Sequence, residues 1–189
     1  MKRIAIFASG GGSNAARIME KFSNHPTIKA AMVVCNKPGA GVLAIAAQHN
    51  IPVLLIEKER FFRGDAYLPE LKNAGIDFIA LAGFLWKVPA ALIQAFPQRI
   101  VNIHPALLPN YGGKGMYGQH VHQAVVDNKE KYSGITIHLV DEQYDHGLPV
   151  LQATCPVLPD DTALTLSRRV LALEHRHYPD VIERLLSGD

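Results

Sequence analysis

The stretch Arg3-Ile4-Ala5-Ile6-Phe7-Ala8-Ser9-Gly10-Gly11-Gly12-Ser13-Asn14 decides the fold. A short apolar run breaks into three consecutive glycines and then into a helix-like pattern over Ala15–Phe22. That order predicts a strand, a tight turn and a helix, the first half of a βαβ unit. The same alternation continues outward. Further candidate strands are Ala31–Cys35, Val53–Ile56, Phe78–Ala82 and Ile100–His104. Helix-like segments lie between them at Val42–His49, Ala66–Ala74 and Ala90–Phe96. Strands alternating with helices predict right-handed crossovers and an α/β fold, a mostly parallel Rossmann-like sheet with helices on both faces.

After Pro109 the pattern changes. Gly112, Gly113, Gly115 and Gly118 mark a flexible loop, followed by a short helix near His120–Asn128. Two strand-like runs, Gly134–Val140 and Pro149–Cys155, are joined by a polar turn, which predicts an antiparallel C-terminal addition to the sheet. Thr162 to Leu186 reads as a long closing helix with Thr162 as its N-cap. Without a linker, repeat or low-complexity stretch, residues 1–189 are expected to form a single domain.

Composition narrows the function classes. The chain has 189 residues, 48% of them hydrophobic, enough for one packed core. A formal net charge of +2, with scattered basic residues, does not point to nucleic acid, though a small anionic ligand is compatible with it. Cys35 and Cys155, far apart in sequence, read as buried reduced thiols rather than a disulfide framework. The basic start has too short an apolar run for a signal peptide. No apolar run reaches the ~20 residues of a membrane span. The expectation is a cytoplasmic protein that acts on small molecules, without nucleic-acid or membrane partners, as a monomer or homodimer.

In open parallel sheets, ligands gather at the carboxyl ends of strands. Three features fall there. The first is the glycine loop, where backbone can approach a ligand closely and a helix N-terminus favours phosphate. Ser13 and Asn14 add side-chain hydrogen bonds. The loop matches neither GxGxxG nor GxxxxGK[ST], so neither a dinucleotide nor a nucleoside triphosphate is specified.

The second feature is Val101-Asn102-Ile103-His104-Pro105-Ala106-Leu107-Leu108-Pro109. Residues two apart on a strand share a face, so Asn102 and His104 sit side by side where Pro105 ends the strand. An amide donor beside a titratable ring suits acyl transfer: the amide can bind an oxygen gaining charge, and the ring can move a proton. The third is the loop after Ala82. There Trp86 reads either as a packing residue or as a flat ring lining a pocket for an aromatic ligand.

Asp145, in the turn Asp141-Glu142-Gln143-Tyr144-Asp145-His146-Gly147, reads either as an ordinary turn residue or as a carboxylate near His104. In the second case it would raise the imidazole pKa and orient the ring. Nine histidines raise the question of a metal. His120 and His122 cannot both face one site from a regular helix, nor can His175 and His177, and no HExxH pattern occurs, so no metal is expected. Glu174, taken locally, is a solvated helix carboxylate.

Together these segments resemble the folate-dependent formyltransferases over nearly the whole chain. The Asn102–Pro109 stretch, spaced as it is from the Asp145 turn, carries the resemblance. Gly12-Ser13-Asn14 is similar to the branch acting on 5-phosphoribosylglycinamide. The resemblance implies a one-carbon transferase of purine biosynthesis, moving formyl from 10-formyltetrahydrofolate to the ribonucleotide amine through a tetrahedral intermediate. It implies Asn102 for the oxyanion, His104 as general acid and Asp145 to tune the ring and order a water. Gly12, Ser13 and Asn14 match the phosphate loop, and Glu174 a ribonucleotide-binding carboxylate. Leu85, Trp86, Lys87 and Val88, with Asn102, Asp141 and Asp145, match the folate pocket.

Departures from the family pattern are Trp86 where an arginine is common, and Leu148 where a proline is usual. Leu171 and Leu173 replace polar residues. Another folate-dependent formyltransferase or formyltetrahydrofolate hydrolase is the first alternative. A first strand starting at Arg3 and an end after one helix are expected to disfavour relatives with added domains. A non-catalytic nucleotide-binding domain is the second, opposed by intact Asn102, His104 and Asp145.

Overall fold

The computed structural model describes residues 1–188, so Asp189, the last residue of the expected domain, lies outside the described residues. The five predicted N-terminal strands are present as β1 (Lys2–Ala8), β2 (Ile28–Cys35), β3 (Val53–Leu55), β4 (Phe78–Leu81) and β5 (Ile100–His104). They alternate with α1 (Ser13–Phe22), α2 (Gly41–Gln48), α3 (Lys58–Phe62), α4 (Leu68–Asn73) and α5 (Ala90–Ala95). The C-terminal part adds α6 (Gln119–Asp127), the strands β6 (Tyr132–Leu139) and β7 (Pro149–Pro156), and α7 (Ala163–Ser187).

The strands form one seven-stranded sheet in the order β3-β2-β1-β4-β5-β6-β7. β1 to β5 pair in parallel, whereas β6 pairs antiparallel with both β5 and β7. Alternation along β1 explains how both faces are covered. Ile4, Ile6 and Ala8 enter one apolar cluster with α1, α2 and α7. Ala5 and Phe7 enter a second cluster with residues of α3, α4 and α5. Side chains two apart share a face, so one buried strand feeds two cores.

Differences from the sequence reading are local. β2 begins three residues earlier than expected, and the short α3 was not foreseen. A single turn and a half is too short to express a 3.6-residue period. The N-cap of α7 is as expected: Thr162 Oγ1 accepts from Thr165 N–H at 3.2 Å, within a reciprocal capping box. The buried Tyr178 of α7 places its hydroxyl 2.7 Å from Leu81 O and 3.1 Å from Val101 O, fastening the helix to β4 and β5. That fastening brings Glu174, one turn earlier, to the carboxyl edge of the sheet.

Candidate active site

A cavity of about 490 Å³ opens at this edge. Its lining includes Asn14, Leu85, Asn102, His104, Asp145 and Glu174, drawn from five separate segments of the chain. The Asn102/His104 pair, the Asp145 turn and the closing helix therefore meet in one place. Glu174 is not the solvated carboxylate of the local reading, since it is 8% exposed.

At the glycine loop, Gly12 takes φ 83° and caps α1 without any side-chain hydrogen bond. A Cβ there would lie 2.8 Å from Val42 Cα, so only glycine lets α1 and α2 approach this closely. Val42 N–H donates to Gly10 O, and Ser9 Oγ accepts from Leu85 N–H at 3.0 Å, tying the loops after β1 and β4 together. The first-turn N–H groups of α1 are left without a side-chain acceptor, an arrangement suited to an anion. Of the three predicted loop residues, only Asn14 lines the cavity; Gly12 and Ser13 lie beside it.

Asn14 Nδ2 donates to Glu174 Oε2 at 2.6 Å. Burial lifts the Glu174 carboxyl to about 7, and the single donor from Asn14 only partly offsets it. Asn14 Oδ1 and His122 Nδ1, both in residues of the cavity wall, are buried without a hydrogen-bond partner among the described residues.

The His104 ring is held from both sides. Nε2 lies 2.7 Å from the carbonyl oxygen of Tyr111. A carbonyl only accepts, so Nε2 carries the hydrogen and Nδ1 keeps the lone pair of the neutral ring. Nδ1 lies 3.6 Å from Asp145 Oδ2, too long for a direct hydrogen bond but close enough for strong coupling. The sequence reading expects Asp145 to lift the His104 pKa above its ordinary value, and Asp145 does pull it upward. Burial acts the other way and is larger, and His138 adds to it, so the ring sits below its ordinary value.

For Asp145 the balance is reversed. Burial alone would raise the carboxyl, but His138, His104 and the Gly113 N–H together hold it below its usual range. The Gly113 N–H donates to Asp145 Oδ2 at 3.0 Å, which gives the glycine-rich loop a defined task.

His138 was missed by the sequence reading. It faces Asn102 directly across the β5–β6 pairing. Its Nδ1 lies 2.9 Å from Leu139 O, so in the neutral ring Nδ1 carries the hydrogen and Nε2 accepts. Asn102 must then turn its nitrogen inward: Nδ2 donates to His138 Nε2 at 3.1 Å and faces Asp145 Oδ1 at 3.5 Å. The second contact is long and weak, so that hydrogen is available to another acceptor. The alternation of Thr136 and His138 was the only sequence signal, and it needed the strand register to be useful. His122, on the inner face of α6, was missed for the same kind of reason.

The expected folate-side residues line a smaller adjoining pocket that includes Trp86, Lys87, Val88, Asn102, Asp141 and Asp145. Leu85 lines the main cavity instead. Trp86 is a packing residue that also stands at a pocket wall. Its ring packs 5.7 Å from those of Phe61 and Phe62 and 6.3 Å from Phe84, and it also borders the pocket. Phe61 and Phe62 belong to the unforeseen α3.

The parallel sheet, the uncapped helix N-terminus and the coupled imidazole–carboxylate pair define an α/β protein with its site at a strand edge. A formyl transferase family model matches residues 2–182, and the chain belongs to the formyl transferase family. It is 43% identical over 187 residues to a chloroplastic phosphoribosylglycinamide formyltransferase of Arabidopsis thaliana, covering 96% of this chain and 64% of that protein. The chain thus spans just under two thirds of that relative's length. It is 36% identical to a phosphoribosylglycinamide formyltransferase of Bacillus subtilis, covering 98% of this chain and 95% of that one. The solved structure of a phosphoribosylglycinamide formyltransferase from Bacillus halodurans matches with a TM-score of 0.88 at 37% identity, over 98% of this chain and 96% of that one.

Proposed function

We propose that this chain transfers the formyl group of 10-formyltetrahydrofolate to the amine of 5-phosphoribosylglycinamide. The products are formylglycinamide ribonucleotide and tetrahydrofolate, in purine (IMP) biosynthesis. The observation that carries the reading is the gathering of Asn102, His104 and Asp145 with Asn14 and Glu174 around one cavity. The names of the relatives supply the ribonucleotide and the formyl group, the sequence resemblance supplies the folate donor, and the residues present fit them. An uncapped helix N-terminus suits the ribonucleotide phosphate. Asn14 Oδ1 and His122 Nδ1, buried and without a partner among the described residues, suit a polar ligand. The half-buried Trp86 beside Val88 suits a flat aromatic ring.

The folate supplies an activated formyl group. Everything else falls to the chain. Holding both substrates in one cleft removes much of the association entropy. Asn102 Nδ2 offers its loosely held hydrogen to the formyl oxygen as that oxygen gains charge. His104, neutral with Nδ1 open, takes the proton that the attacking amine releases as the new C–N bond forms. It then returns that proton to the departing folate nitrogen as the old C–N bond breaks. Asp145, ionised, stabilises the ring while it carries the extra proton. The role of general acid is thus reached in the second half of the cycle, from a ring that begins neutral.

Among the described residues no helix is long and apolar enough to cross a membrane. The proposal extends to a cytoplasmic protein acting as one domain over residues 1–189, as a monomer or homodimer, on small molecules and without metal.

The test is formyl transfer from 10-formyltetrahydrofolate assayed with 5-phosphoribosylglycinamide, with a second amine acceptor and with buffer alone. Product with the ribonucleotide only is the expected result. Formate released at the same rate in buffer would favour a hydrolase. Binding of both small molecules without product would leave a nucleotide-binding domain.

A further inference from the structure

We propose that Tyr111 is a positioning residue for His104, with its phenol anchored to Glu130 and Asn128 in the turn between α6 and β6. This inference rests on the reading of His104 given above. Tyr111 does not touch the proton path. It acts on it through its own backbone and that of the loop it begins.

The chain of contacts is continuous. Tyr111 O is the acceptor 2.7 Å from His104 Nε2. Two residues on, Gly113 N–H donates to Asp145 Oδ2. Residues 111 to 113 therefore hold both members of the imidazole–carboxylate pair, and a shift of this short segment would move both at once. Tyr111 itself has φ 57°, a left-handed conformation that an aromatic L-residue keeps only when its surroundings hold it.

The hold comes from the far end of the side chain. Tyr111 Oη donates to Glu130 Oε1 at 2.6 Å, and Asn128 Nδ2 donates to Tyr111 Oη at 3.0 Å. Those anchors are themselves fixed. Asn128 N–H donates to Ala124 O, Lys129 N–H to Val126 O and Glu130 N–H to Val125 O, which ties the turn to α6. The order of causes runs from the helix end to the turn, from the turn to the phenol, and from the phenol to the carbonyl that sets the His104 tautomer. His104 also faces Asp145, His138 and, more remotely, His122. None of these bonds Nε2, so the tautomer depends on Tyr111 O.

Tyr111→Phe keeps the ring and the backbone and removes only the hydroxyl. The expected result is a fall in kcat of about tenfold with KM for both substrates within about twofold, as for a misplaced catalytic group. In parallel, ¹⁵N NMR of the His104 ring, read without turnover, should show Nε2–H dominant in the parent and a tautomer mixture in the variant. Glu130→Ala should reproduce both changes. Glu130→Gln, which still offers an oxygen to the phenol, should restore most of the parent behaviour.

Tyr111→Phe with parent kcat and parent ring signals overturns the proposal. So does a loss of activity with unchanged ring signals and a lowered melting temperature, because that is a purely structural effect. Since the ring signals need no formyl transfer, failure of the catalytic reading and failure of the positioning reading give different results.

Discussion

Two carboxylates face one cleft, and the protein sets them in opposite directions. Asp145 is held below its usual range by His138, His104 and the Gly113 N–H, despite burial. Glu174, shut off from water further still, has one side-chain donor in Asn14 among the described residues and is lifted to about 7. Burial and the surrounding donors and charges set each carboxyl together: the deeper burial of Glu174 wins, whereas at Asp145 the histidines and the Gly113 N–H outweigh it. On the Asp145 side the chain has built a negative charge that, in the proposed mechanism, supports a ring gaining and losing a proton. On the Glu174 side it leaves a carboxyl near the point where a ligand's hydroxyls or amine could tip it either way.

The largest expected effect breaks the Asp145 side. His104→Ala should lower turnover by roughly 10²–10⁴-fold, the share general acid–base catalysis supplies. Ribonucleotide affinity, measured by calorimetry, should stay within a few-fold, because Asn14 and Glu174 are untouched; a large affinity loss would move His104 to a binding role. Next comes Glu174→Gln on the other side. The folded pKa of Glu174 is raised, so its contribution to stability is complete below its ordinary value of 4.5 and is lost as pH rises through about 7. The variant should therefore gain stability relative to the parent above pH 7, on the order of 3 kcal/mol, and match it in mild acid. Melting curves that stay parallel across that range would contradict the assignment.

Gly12→Ala should lower stability by about 1–3 kcal/mol, from its positive φ and from the contact of the new Cβ with Val42. By shifting the start of α1 it should also loosen Asn14 and weaken ribonucleotide binding. The smallest effect sharpens the comparison. Asn14→Ala removes the only side-chain donor of Glu174 among the described residues, so the Glu174 carboxyl should titrate higher still in carboxyl ¹³C NMR while that of Asp145 does not move. A fall in the Glu174 value would show that the hydrogen bond does not favour its charged form.

Much of this was legible in the sequence, for identifiable reasons. The alternation of apolar strands and helical patterns carried the parallel half of the sheet, and β5 has the predicted bounds, Ile100 to His104. Local spacing placed Asn102 beside His104, because two residues on one strand settle their own geometry. The site partners that come from other elements were harder to see. His138 meets Asn102 only through the β5–β6 register, and Tyr111 acts through a carbonyl, which no side-chain motif records. Glu174 looked solvated because nothing in its own helix shows where Tyr178 fastens that helix. The expectation that Asp145 lifts the His104 pKa above its ordinary value is overturned: Asp145 pulls upward, but burial, a property of the whole fold, pulls further down.

The central claim is that His104 enters the cycle as a neutral ring coupled to an ionised Asp145. The pH profile of kcat/KM tests it most directly, since that ratio reports groups of the free enzyme. The account predicts an acid limb below the ordinary imidazole value of about 6.5, moving lower still in Asp145→Asn, where the carboxylate no longer favours the charged ring. A limb at or above that value in the parent, or one that stays in place in the variant, would contradict it.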